Sequence, residues 1–181
     1  FEVALGSILT QNTTFRSVEK ALQNLKELNA LSPQSIKQLP KDKLKEAIKP
    51  AGYFNQKTEY ILIFIDFFES LKGKTPIREE LLNLKGIGEE TADSILLFGY
   101  KQAQFKVDAY TKRLLIELNI IDEKAKYKDI KKLFEDTFSK KYTKDTLVNI
   151  YQEYHALIVE HGKNYYSKKP YGQKCFLKTI F

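Results

Sequence analysis

A single cysteine, Cys175, is the first constraint that the sequence sets. One thiol closes no disulfide within the chain, and it cannot assemble a cysteine-only metal or iron–sulfur site. Methionine is absent altogether, and the chain opens at Phe1 inside an apolar periodic pattern, so further residues are expected to precede it. Glycine and proline are sparse, at 8 and 5 residues, which favours a helix-rich chain with short connections. No apolar run approaches the length that spans a bilayer; the longest, over residues 61–68, is interrupted by Asp66. No signal-peptide pattern is visible, and a reducing cytoplasmic compartment is the expectation. Alternating apolar and polar stretches of strand length are missing as well.

What remains is an apolar and basic chain. Of its 181 residues 43% are apolar, enough for a packed interior and too many for wholesale disorder. That length suits one compact unit or two small lobes. Lys and Arg total 30 against 23 acidic residues, a formal net charge of +7. Such a balance favours polyanionic partners, because each neutralised phosphate releases counterions.

Apolar residues recur at the helical period almost throughout, so the expected fold class is all-α. Residues 1–11 place Val3, Ala4, Leu5, Ile8 and Leu9 on one face. Thr13 or Thr14 can cap a second helix whose inner side is Val18, Leu22, Leu25 and Leu28. Ser32-Pro33 reads as a cap followed by a first-turn proline, and another short helix follows Pro40 and ends near residues 50–52. A strongly apolar helix is expected over 55–71. Thr75-Pro76 reads as cap and first-turn proline for a helix through Leu84. After a break at 85–88, residues 89–100 are helical again, and Asp108 begins the next helix. Longer helices are expected at roughly 126–139 and 143–161, followed by a basic, aromatic tail from Gly162. His155 and His161 lie six residues apart, neither i,i+3 nor i,i+4, and read as structural or surface histidines rather than metal ligands.

The stretch that carries chemistry is 81–110. Two glycines one residue apart, Gly86 and Gly88, let the backbone turn sharply between helices, and Ile87 between them can plug into the core. The turn leads into a helix start, where free N–H groups favour a phosphate. Gly-x-Gly between helices is often only a tight turn, and an aspartate at a helix start is often only a cap. The combination is more telling: a carboxylate, Asp108, lies 20 residues beyond Gly88 at the head of the next helix.

Leu84-Lys85-Gly86-Ile87-Gly88, with Thr91-Ala92 and then Val107-Asp108, resembles the helix-hairpin-helix-Gly-Pro-Asp motif of the endonuclease III superfamily of DNA glycosylases. Leu9-Thr10-Gln11-Asn12-Thr13 is similar to that family's segment near its first barrel helix. Gly52-Tyr53-Phe54-Asn55-Gln56-Lys57 is similar to its turn before the long central helix. His161-Gly162-Lys163 and Lys168-Lys169-Pro170 also fall where the family has comparable residues. The likeness therefore covers almost the whole chain.

The resemblance implies two helical lobes with DNA in the cleft between them. A six-helix barrel with the hairpin would span residues 1–101, and a second lobe with a basic tail 102–181. It implies a monofunctional glycosylase of base excision repair, acting as a monomer on double-stranded DNA with a damaged base, without membrane contact, in the cytoplasm of a bacterium and associated with its nucleoid. Lys85, Gly86, Ile87, Gly88, Thr91 and Lys57 would contact DNA, and Gln11 with Asn12 would fill the gap left by an extruded base. Asp108 would be the catalytic carboxylate facing C1′ of the deoxyribose. Phe1, Phe15, Tyr53 and Phe54 are the base-pocket candidates, although helical aromatics more often belong to a core.

Two departures narrow these implications. Strand-cleaving relatives carry a Schiff-base lysine two residues after the hairpin's second glycine; here that position is Glu90, and a carboxylate cannot form the imine. Many relatives end in four cysteines that hold an iron–sulfur cluster; here only Cys175 remains, with Tyr165 or Tyr166 and Gly172 at other matching places. No cluster or other cofactor is expected, while a monovalent cation at the hairpin stays open. Aromatic packing by Tyr165, Tyr166, Tyr171 and Phe176 can support the tail instead, with Lys163, Lys168 and Lys169 either near phosphate or simply solvated. Both departures resemble the bacterial 3-methyladenine DNA glycosylase III subgroup, which implies N3-alkylated purines as substrates. The alternatives are a mismatch or oxidised-base glycosylase and a non-catalytic helix-hairpin-helix module; a carboxylate at Asp108 is needed only by an enzyme.

Overall fold

In the computed structural model, which describes residues 1–180, every regular element among those residues is helical. The chain divides into two compact units, the first Phe1–Tyr100 and the second beginning at Lys101. Phe181, the last residue of the expected second lobe, lies outside the described residues. Among the described residues no helix is long and apolar enough to cross a membrane.

The first unit runs α1 (Glu2–Thr10), α2 (Phe15–Glu27), α3 (Pro33–Gln38), α4 (Lys41–Ile48), a 3-10 turn (Lys49–Ala51), α5 (Phe54–Ser70), α6 (Arg78–Leu82) and α7 (Glu89–Ser94). Several starts follow from local chemistry. Thr14 Oγ1 accepts the Ser17 N–H at 3.3 Å, which leaves Thr13 outside the cap. Ser32 and Ser35 cap each other's backbone at 3.1 Å, ahead of Pro33 in the first turn. The helices pack through Leu5, Ile8, Leu9, Leu25, Ile36, Ile48, Phe64 and Ile65, all buried; each such side chain contributes roughly 1.5–3 kcal/mol of burial.

Two stretches differ from their sequence pattern. Thr75-Pro76 does not open α6: Pro76 is buried ahead of the helix, and the cap comes from Glu80 Oε2, which accepts the Ile77 N–H at 2.9 Å. The helix over 89–100 widens after Ser94 into a π turn (Ile95–Gly99), where the Tyr100 N–H bonds to Ile95 O and Leu96 O at 3.2 Å each. Ile95, Leu96 and Leu97 are all fully buried, and three consecutive residues cannot share one narrow face of a regular α-helix.

The second unit holds α8 (Ala109–Glu117), α9 (Tyr127–Ser139), α10 (Lys144–Tyr165) and a 3-10 turn (Phe176–Thr179). Phe105 stacks on Phe134 at 4.1 Å and meets the edge of Tyr151 at 5.4 Å. α10 lies against α8 and α9, and Gly162 on α10 leaves room for the Tyr110 ring of α8, which a Cβ would overlap.

α6 and α7 are fastened by one buried ion pair. Arg78 Nε and Nη2 reach Asp93 Oδ1 and Oδ2 at 2.8 and 3.1 Å, and Asp93 is fully buried. Arg78 is partly exposed and also reaches Glu89 Oε1 at 3.4 Å, so removal of Asp93 forfeits two charge-assisted hydrogen bonds but leaves the guanidinium one carboxylate partner. Asp93→Ala is expected to lower the stability of the folded protein by about 2 kcal/mol in urea unfolding.

Candidate functional site

The hairpin between α6 and α7 shows that its two glycines do different jobs. Gly86 has φ +88°, and a Cβ there would overlap the Tyr60 ring, which α5 places directly behind the turn. Gly88 is extended at φ −93° and ψ 178°, with nothing within 4 Å of an added Cβ. The first hydrogen bond inside α7 runs from Ala92 N–H to Gly88 O at 2.9 Å, so the N–H groups before Ala92 belong to the helix start. Ile87 is buried as expected, and its N–H closes the turn on Leu84 O at 3.1 Å, so the residue anchors the hairpin instead of touching a ligand. Lys85 is exposed and paired with Glu59 at 3.1 Å, and Glu90 is exposed.

The segment after α1 meets the hairpin. Gln11 is half-buried, and its amide nitrogen donates to Gly86 O at 2.8 Å and to Thr91 Oγ1 at 3.0 Å. Two expectations change as a result. Gln11 braces the hairpin and is not a free gap-filling side chain, and Thr91, 7% exposed, turns inward and presents no hydroxyl to DNA. Asn12, next in this loop, is exposed and held in the left-handed region at φ +52°. Gln11 and Asn12 line a cavity of about 170 Å³ with Tyr53, Gln56, Lys57 and Tyr60.

Lys57 does not extend outward as a phosphate contact. It is 2% exposed, and its ammonium donates to Leu9 O and Ala51 O at 2.7 and 2.8 Å. Burial lowers its pKa to about 8. The aromatic candidates also separate. Phe1 packs on Phe64 and Phe68 at 6.3 and 5.4 Å, and Phe54 packs on the first unit's core, so neither lines an open pocket. Phe15 and Tyr53 remain exposed, at 68% and 62%.

In the second unit Asp108 is the N-cap of α8 and is half-buried. Its Oδ1 accepts from the Thr111 N–H and the Thr111 hydroxyl, both at 2.8 Å, leaving Oδ2 outside the cap. The loop that delivers it is tied down by the Phe105 N–H on Glu135 Oε1 at 2.9 Å, the Val107 N–H on the Tyr127 hydroxyl at 3.3 Å, and Lys131 Nζ on Gln104 Oε1 at 2.6 Å. His155, 7% exposed on α10, lies within electrostatic reach of Asp108 and Lys106. Burial, reinforced by Lys106 and opposed by Asp108, lowers its pKa to about 4, so it is neutral at neutral pH and adds no positive charge beside the carboxylate. Sequence reasoning missed Tyr60, whose position in α5 carries no motif, it quoted Gln56 within the family-like turn without giving it a role, and it missed that His155 lies near Asp108.

The tail is held by side chains. Tyr166 is fully buried, its hydroxyl 3.2 Å from Cys175 Sγ, and His161 Nε2 lies 3.1 Å from the same sulfur. Tyr165 and Phe176 flank the His161 ring at 4.6 and 5.6 Å, and Arg113 sits 4.7 Å over the Tyr171 ring while donating to Tyr166 O at 3.0 Å. A lone thiol engaged in this way does not suit an iron–sulfur cluster. Among the described residues no group of three or more His, Cys, Asp or Glu side chains could hold a metal. At the hairpin, Gly86 O already accepts from Gln11. Lys163, Lys168 and Lys169 are exposed.

Comparison with known proteins agrees with this architecture. A family model described as HhH-GPD superfamily base excision DNA repair protein matches residues 5–140. The chain is 44% identical to a provisionally named DNA repair glycosylase of Methanocaldococcus jannaschii, over 99% of this chain and 84% of that one. It is 31% identical to an Endonuclease III of Sulfolobus acidocaldarius, over 98% and 79%. Among solved structures, the H. pylori 3-methyladenine DNA glycosylase bound to 1,N6-ethenoadenine superposes with a TM-score of 0.79 at 30% identity, covering 91% of this chain and 85% of that one. A non-covalent Endonuclease III–DNA complex gives 0.79 at 21% identity, over 98% and 80%, a likeness of fold alone.

Gly86→Ala is expected to cost about 2–4 kcal/mol of unfolding free energy in urea, from the positive φ and the overlap with Tyr60 together. His155 binds its proton in the unfolded chain near 6.5 but in the folded chain only near 4. Its contribution to stability is therefore complete above pH 6.5 and is lost as the pH falls toward 4. Thermal unfolding across that window is expected to decline less steeply for His155→Gln than for the wild type.

Proposed function

The chain belongs to the HhH-GPD superfamily of base excision DNA repair proteins, and from that premise we propose that it is a monofunctional DNA glycosylase acting on duplex DNA as a monomer, without a bound cofactor. The observation that carries this reading is Asp108: a half-exposed carboxylate with one oxygen fixed by Thr111 and the other outside the cap. A binding module would need such a group only as a cap, whereas glycosidic cleavage also uses the oxygen that the cap leaves open. As the base departs, C1′ of the deoxyribose takes on oxocarbenium character, and a carboxylate already fixed in orientation stabilises that charge without reorganising. Water then adds through its oxygen to C1′, and its proton passes to the carboxylate. The C1′–N bond breaks with its electron pair leaving on the base.

N3-alkylated purines are the favoured substrates. Such a base carries a positive charge and leaves as a neutral molecule, so no general acid is needed, and Asp108 serves only as a charge-stabilising carboxylate and base. The likeness to the H. pylori enzyme, named for 3-methyladenine, supports the same choice. Glu90 at the position of the Schiff-base lysine argues against strand cleavage, despite the Endonuclease III relatives.

Reaching the bond requires the nucleotide to leave the stack. The open face of Gly88 and the start of α7 would grip a phosphate. Exposed Asn12 would enter the vacated space in place of Gln11, and Tyr53, exposed on the same cavity, offers a ring on which a neighbouring base can rest.

Incubation with methylated duplex DNA is expected to release N3-methylated purines, seen by chromatography of the free bases. Asp108→Asn, which keeps the cap because asparagine caps equally well, is expected to lower kcat by about 100-fold or more with little change in melting temperature. Borohydride added during turnover is expected to trap no protein–DNA adduct; a strong adduct would overturn the monofunctional assignment, and undiminished activity in Asp108→Asn would overturn the role of the carboxylate.

A further inference from the structure

Lys57 sits in the first turn of α5, and its buried ammonium joins two acceptors from separate segments. Leu9 O lies in the last turn of α1, and Ala51 O ends the 3-10 turn after α4. Carbonyls at helix ends lack partners within their own helix and carry the negative end of its dipole. A single cation between two of them satisfies both.

Each carbonyl stands just ahead of an exposed residue with a left-handed backbone. Three residues beyond Leu9 is Asn12 at φ +52°, and two residues beyond Ala51 is Tyr53 at φ +46°, after Gly52 at φ +70°. Asparagine takes up this conformation readily, whereas at Tyr53 a left-handed backbone persists only where the surroundings hold it. Both line the same cavity, and Lys57 forms part of its wall.

We propose that Lys57 is a positioning residue whose ammonium sets the spacing of these two loops, so that Asn12 and Tyr53 enter a distorted duplex as one paired wedge. The inference rests on the DNA-facing roles proposed above for Asn12 and Tyr53. Lys57 itself touches no DNA. A neutral side chain of similar length would leave two buried carbonyls facing each other without a donor, and the two tips would lose their common reference. The loss falls on the distorted state, where both tips must be in place, and spares the first encounter with DNA, which depends on surface charge.

The test uses the full chain and a duplex with a tetrahydrofuran abasic analogue beside 2-aminopurine, whose fluorescence rises on unstacking. Wild-type protein is expected to brighten the probe. Folded Lys57→Met is expected to lose most of that rise and to lower kcat by about 10-fold, while KM and affinity for undamaged duplex stay within about twofold. Unaltered fluorescence and kcat in the folded variant would overturn the proposal. So would weakened binding to undamaged duplex, because that outcome marks Lys57 as a phosphate contact. Should Lys57→Met not fold, Lys57→Gln, whose amide still donates to one carbonyl, carries the same comparison with the same two readings. A wild-type protein that neither excises a base nor brightens the probe removes the proposed function and this inference with it, whereas a normal wild-type response that Lys57→Met leaves intact removes this inference alone.

Discussion

Two hydrogen bonds of 2.8 Å from Thr111 to one oxygen of Asp108 determine what the second unit can offer chemically. A carboxylate on a flexible loop samples many orientations, and its charge is solvated differently in each. Here the carboxylate is the helix cap, so its orientation is fixed by the same contacts that start α8. The loop before it is fixed in turn, through Glu135, Tyr127 and Lys131 of α9, and the Phe105 ring stacked on Phe134 keeps that loop against the core. Structural capping and chemical readiness are not competing explanations for this residue. The cap uses Oδ1 and leaves Oδ2 for other work.

Much of this was legible in the sequence, and the reasons differ from residue to residue. The helical period located nearly every element, because a helix in a small domain must bury a continuous stripe. Ser32-Pro33 was legible because a serine ahead of proline has few other uses. Ile87 was legible as a plug because an apolar residue between two glycines has only the core to go to. Thr75-Pro76 misled because the same dipeptide also serves to bury a proline ahead of a helix, and Glu80 supplied the cap instead.

Most of the side chains that were misread have at least one partner from a distant part of the chain. Gln11 and Thr91 are 80 residues apart and bond to each other across the first unit. Lys57 looks like any surface lysine until Leu9 O and Ala51 O are seen to converge on it. Phe1 and Phe54 look as available as Phe15 and Tyr53, and only packing divides them. Periodicity tells which face of a helix is inward. It carries no information on which polar groups meet there.

The hairpin, finally, has a back and a front. Tyr60 fills the space behind Gly86, and nothing fills the space in front of Gly88. Interchanging the two environments would demand a different backbone, so the asymmetry is built into the turn. Under the proposed function a phosphate would approach from the Gly88 side, because the Tyr60 ring closes off the other side of the turn.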